Sequence, residues 1–110
     1  MIEQLHNLDI SILLPFVLIT LHQVKAIIDR DGHTCQFPDQ HECGRKLSVH
    51  HIYDKEDIPE NLVTVCSKGA HWGKLHNGAT EEDKRRWACE LSSLAIQRTI
   101  EAYRRGWKFG

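Results

Sequence analysis

Three of the four cysteines and six of the eight histidines fall between residues 33 and 76. Thiolates and neutral imidazoles are the ligands zinc favours, and where thiols stay reduced they are free for metal instead of disulfides. In chain order the reactive positions are Cys35, Cys43-Gly44, His50-His51-Ile52, Asn61-Leu62, Cys66, His71 and His76. Free cysteine also packs well as a small hydrophobe, but the glycine after Cys43 and the interleaved histidines favour a metal site. Cys89 falls among apolar residues at helical spacing and reads as core.

These residues need elements to hold them. Residues 47–52 and 62–66 are short, apolar and rich in β-branched side chains, with a polar stretch containing Pro59 between them, which predicts two strands joined by a loop. After Cys66, residues 67–69 read as loop and 70–75 as a short helix weakened by Gly73, stopped at Asn77-Gly78. Thr80 followed by Glu81, Glu82 and Asp83 is an N-cap with acids in the first turn, and neither Gly nor Pro interrupts the chain from there to Arg105. That long helix has one apolar stripe of Trp87, Leu91, Leu94 and Ala95 and another of Cys89, Ile96, Ile100, Tyr103 and Trp107, so it needs two partners, the second being another part of the fold or a second copy in a homodimer. Residues 1–30 read as a broken helix, with Pro15 starting its second piece and Asp31-Gly32 ending it.

With 110 residues, 41% of them hydrophobic, the chain suits one domain of the α+β class: a helical segment over 1–30, the metal-bearing core over 31–78 and the C-terminal helix over 79–110. The formal net charge of -1 is unlike that of a nucleic-acid packaging protein. Basic residues outnumber acidic ones only at the C-terminal end, where Lys84-Arg85-Arg86 and Arg104-Arg105 form runs that are more often solvated than bound to phosphate. The chain opens Met1-Ile2-Glu3 without a cationic leader, and its apolar run over 10–21 is broken by Pro15 and too short for a bilayer, so the expectation is a cytoplasmic protein with no membrane partner.

From Arg30-Asp31-Gly32-His33-Thr34-Cys35-Gln36 to His76, about 50 residues, the order and spacing resemble the HNH endonuclease family. The resemblance implies a ββα-metal core with a structural zinc knuckle, DNA as partner, and hydrolysis of its phosphodiester bonds by nicking or double-strand cleavage. Its relatives act in phage packaging, mobile introns, restriction and bacterial competition, which points to the cytoplasm of a bacterial or phage-infected cell. Such hydrolysis needs an activated water, charge stabilisation at phosphorus and relief of the leaving oxygen, which a base and a cation supply. By the resemblance His51 is the general base and His50, on the other side of the pleat, is a metal ligand, while the side-chain amide of Asn61, at the start of the second strand, hydrogen-bonds backbone across the loop and so holds His51 in orientation. One or two histidines from the following helix, His71 and His76, complete the catalytic ion, with Mg²⁺ or Mn²⁺ and also Ni²⁺ or Zn²⁺ as candidates.

The chain departs from the family pattern in two places. Where the family has Cys-x-x-Cys-His and a further histidine four residues on, this chain has Cys66-x4-His71-x4-His76, and on an α-helix a spacing of five sets two residues about 140° apart. In one registration His71 joins Cys35, Cys43 and Cys66 on zinc, leaving His50 and His76 for the catalytic ion. In the other His71 is a catalytic-ion ligand and zinc takes its fourth donor from His41, His33 or Cys89. The first is preferred because it closes the structural site with three cysteines and a histidine. The Cys35-x7-Cys43 spacing also exceeds the usual two to four residues. The alternative function is an HNH-like zinc module that binds DNA or a protein assembly without turnover. A zinc hydrolase of other substrates ranks below both, because no His-Glu-x-x-His segment is present.

Overall fold

A computed structural model describes residues 20–44, 46–77 and 80–109. In order it contains helix α1 (Leu21–Arg30), strand β1 (Leu47–His51), a 3₁₀ turn (Pro59–Asn61), strand β2 (Leu62–Cys66), a π-helix (Ser67–His76) and helix α2 (Glu81–Arg104). The expected α+β class is present, with helices around one two-stranded sheet. Pro15 and the predicted helical piece around it lie outside the described residues. Among the described residues, no helix is long and apolar enough to cross a membrane.

Both α-helices start on a threonine. Thr20 accepts a hydrogen bond from the Gln23 backbone N–H while the Gln23 side chain returns one to the Thr20 N–H, a reciprocal cap that satisfies two orphan donors. Thr80 accepts from the Asp83 N–H, and Glu81, Glu82 and Asp83 place negative charge at the positive end of α2. Helix α1 ends where Gly32 and His33 adopt left-handed backbone, with φ of 66° and 56°.

Strands β1 and β2 pair antiparallel in the register Leu47↔Cys66, Ser48↔Val65, Val49↔Thr64, His50↔Val63 and His51↔Leu62. Directly opposed residues share a face, so Ser48, His50, Val63 and Val65 point one way and Leu47, Val49, His51 and Leu62 the other. The first face packs Val63 and Val65 with Phe37, Ile52, Trp87, Leu91 and Ala95 against α2, and the second packs Val49 and Leu62 against Val24, Ile27 and Ile28 of α1. Every residue of β2 is buried, which explains its unbroken apolar run. The chain at Gln36 adds to the free edge of β2 through its N–H to the Thr64 carbonyl, 2.9 Å, and this brings Cys35 alongside the end of β2.

Arg30 ties the layers together. Its guanidinium pairs with both oxygens of fully buried Asp31 (2.9 and 3.0 Å) and donates to the carbonyls of Pro59 and Leu62 (2.7 Å each) and to the Thr99 hydroxyl of α2 (3.1 Å). Asp31 in turn accepts from the Thr64 N–H of β2, 2.9 Å. One buried ion pair thus fixes α1, the 3₁₀ turn, β2 and α2 to one another. On α2 the stripe of Trp87, Leu91 and Ala95 is buried, whereas Ile96, Ile100 and Tyr103 of the opposite stripe are exposed.

Candidate metal centres and catalytic residues

Two groups of ligand atoms converge at opposite ends of the π-helix. In the first, the donor atoms of Cys35, His41, Cys43 and Cys66 all lie within 4.8 Å of one another, and in the second those of His50, His71 and His76 do so.

The cysteine group draws on three segments. Cys35 follows the turn after α1, His41 and Cys43 stand in the loop before β1, and Cys66 ends β2. His41 Nδ1 faces the Asp39 carbonyl at 2.8 Å, so Nδ1 carries the proton and Nε2 turns its lone pair to the sulfurs, 3.5 Å from Cys35 Sγ. The Asp39 carboxylate receives the Arg86 guanidinium at 3.0 and 2.6 Å and the Trp87 indole N–H at 2.9 Å, which pins the wide loop between Cys35 and Cys43 to α2. Both donors hold the Asp39 carboxyl down at about 2.

The thiols are electrostatically unequal. Burial opposes ionisation of Cys66, but backbone N–H groups of Gly44 and Ala70, a hydrogen bond from Cys43 and the nearby His41 outweigh it and bring the thiol to about 7. Burial and the neighbouring sulfurs push Cys43 up to about 12, and burial raises Cys35. Three sulfurs this close favour a single thiolate unless a cation neutralises the set, and three cysteines with one histidine form a donor set of the kind that holds zinc.

The histidine group lies on the β1 face shared by Ser48 and His50. The Ser48 hydroxyl sits 2.9 Å from His71 Nδ1, and His50 meets His71 and His76 edge-on with ring centroids 5.2 and 5.6 Å away. Burial, and then His71, His76 and His51 in turn, drive His50 down to about 3, so its ring is neutral at physiological pH. Burial and Lys84 lower His76 as well. Neutral imidazoles offer lone pairs, which is what a cation requires. The exposed Trp72 ring stacks on His71 at 4.9 Å and tilts against His76 at 4.8 Å, covering the outer side of the pair.

His71 is therefore not the fourth partner of the cysteines. It stands with His50 and His76, and His41 occupies the place that the preferred registration gave it. The physical reason is the helix type. Residues 67–76 wind with the wide i→i+5 hydrogen bonding of a π-helix, in which positions five apart come back to the same side, so the five-residue step from His71 to His76 points both rings at His50. Cys66 caps this helix, its sulfur accepting the Ala70 N–H at 3.2 Å. At Gly69 a Cβ would collide with the Glu42 backbone carbonyl, so only glycine lets the loop carrying His41 and Cys43 approach the helix.

His51 closes β1 on the opposite face from His50. Its Nε2 lies 2.7 Å from Asp57 Oδ1, a partner that the sequence did not single out. The Asn61 side chain makes no hydrogen bond to His51. Its amide N–H groups reach the Asp54 carbonyl and carboxylate and the Glu56 carbonyl, each at 3.0 Å, and its Oδ1 accepts from the Tyr53 N–H at 3.1 Å. Asn61 thus folds the loop between the strands, and any influence on His51 passes through that loop. Ser48, Asp39 and Asp57 were missed because each acts through a tertiary contact. Comparison of the chain with family models, with curated proteins and with solved structures finds no match.

Proposed function

We propose that this protein is a metal-dependent endonuclease of the HNH type, hydrolysing phosphodiester bonds in DNA. The observation that carries the reading is the convergence of His50, His71 and His76 beside a strand whose next residue, His51, offers a basic imidazole. The three imidazoles are the residues that would hold a divalent ion, and Mn²⁺, Ni²⁺ or Zn²⁺ suits an all-nitrogen set better than Mg²⁺. An ion held there would supply positive charge where negative charge develops during hydrolysis.

The chain's own groups supply the rest. His51 takes a proton from water as the water oxygen bonds to phosphorus and the bond to the leaving 3′ oxygen breaks. Asn61 keeps the loop after β1 closed. Cys35, His41, Cys43 and Cys66 serve as a structural zinc knuckle that ties the loop before β1 to the base of the π-helix.

The test is cleavage of supercoiled plasmid with Mn²⁺, Ni²⁺ or Mg²⁺, with an EDTA control. Nicking by the wild type that EDTA stops, and that His51→Ala abolishes with circular dichroism and zinc content unchanged, is the expected result. No cutting with any of these ions would overturn the proposal.

A further inference from the structure

We propose that Asp57 is the positioning residue for His51, a role that rests on the nuclease reading above. The observation is the contact of 2.7 Å between Asp57 Oδ1 and His51 Nε2, which is partly shielded from solvent, with side-chain exposures of 19% and 31%. A carboxylate only accepts, so in the neutral ring Nε2 carries the proton and donates it, and Nδ1 keeps its lone pair. That choice of nitrogen matters because only the unprotonated one takes a proton from water. Once Nδ1 does so, the ring is a cation and the same carboxylate faces its Nε2–H, stabilising the product of the proton transfer.

The loop is built to deliver this carboxylate. Residues 52–57 leave β1 after His51, and Asn61 gathers the Tyr53 N–H and the Asp54 and Glu56 carbonyls while the Asp54 carboxylate accepts from the Glu56 N–H at 3.0 Å. Ile52 N–H closes the base of the loop on the Asn61 carbonyl at 2.9 Å. Asp57 follows directly on this knot, which makes Asn61 the anchor and Asp57 the contact.

A carboxylate near a phosphate repels it, so a merely electrostatic or structural Asp57 makes a different forecast from a positioning one. Removing a bystander charge lowers KM for DNA and spares kcat, whereas removing the partner of the base lowers kcat. In steady-state plasmid cleavage by the metal-loaded protein, Asp57→Asn and Asp57→Ala are expected to lose about 10- to 100-fold in rate at saturating DNA, without a rise in KM and with zinc content and fold retained. Asp57→Glu is expected to recover part of the loss. The ¹⁵N shifts of the His51 ring, measured without DNA, should report Nε2–H in the wild type and a mixture of tautomers in Asp57→Ala. Rates within about twofold of wild type in both variants, or a wild-type ring protonated at Nδ1, would overturn the assignment. If the wild type does not cut DNA at all, the nuclease reading falls, and the ring spectrum alone decides whether Asp57 sets the tautomer of His51.

Discussion

At the scale of single residues, the distinction that matters is between His41 and His71. Both are near cysteines in sequence, but His41 turns Nε2 to the sulfurs while the Asp39 carbonyl holds its other nitrogen, and His71 presents Nδ1 to Ser48 of β1. The two therefore make opposite forecasts for metal content. His41→Ser should lose the thiolate-bound zinc, whereas His71→Ala should keep it and lose only the ion of the histidine group, as read by metal analysis after exhaustive dialysis. Retention of zinc by His41→Ser together with its loss from His71→Ala would reinstate the registration that the structure displaces. The three cysteines, His50 and His76 were legible as candidate ligands because their types and order suit a metal. The fourth donor was legible only as one of three alternatives in the less favoured registration, because Cys35-x5-His41 has no local geometry of its own and depends on Asp39 reaching Arg86 and Trp87 on a distant helix.

At the scale of elements, the strands and the long helix followed their sequence signals closely. β-Branched runs gave β1 and β2, and the cap at Thr80 gave the start of α2. The π-helix escaped because spacing arguments assume 3.6 residues per turn, and a ten-residue run of wider winding is uncommon. Gly69 is a position where this element meets the cysteine loop at close range. Gly69→Ala should cost about 1–3 kcal/mol through the forced displacement of one backbone by the other. The measurement is the urea midpoint of the zinc-loaded protein, and a midpoint equal to that of the wild type would show that the approach is not constrained. Zinc affinity should weaken in the same variant, since the loop that must move carries His41 and Cys43.

At the scale of the whole molecule, two apolar clusters on either side of a two-stranded sheet are a small core, and the buried Arg30–Asp31 pair fixes how they stack. Deleting only one partner leaves the other buried and uncompensated. Arg30→Ala is expected to destabilise the fold by about 3–5 kcal/mol, because Asp31, two carbonyls and the Thr99 hydroxyl all lose a donor at once. A loss below about 1 kcal/mol in chemical denaturation would place the anchoring elsewhere, as ordinary surface changes stay under that value. The sequence marked Arg30-Asp31 as part of a family-like lead-in and Asp31-Gly32 as a helix end. Its mechanical role was hidden because the partners lie 29 to 69 residues away along the chain. The outer stripe of α2 was legible as apolar, yet the described residues leave Ile96, Ile100 and Tyr103 facing outward.

The strand ladder also governs which kinds of sequence change this protein tolerates. His50 and His51 are set apart by parity alone, one lying on the face of the π-helix and the other on the face of α1. Adding or removing a single residue within 47–50 while the hydrogen bonds re-form would exchange their faces, sending His51 toward His71 and His50 toward Asp57. Point substitutions erode such a site gradually, but a one-codon insertion would invert it in one step. Length in β1 is therefore under tighter constraint than side-chain identity at Leu47 or Val49, where an apolar replacement of similar size preserves the alternation.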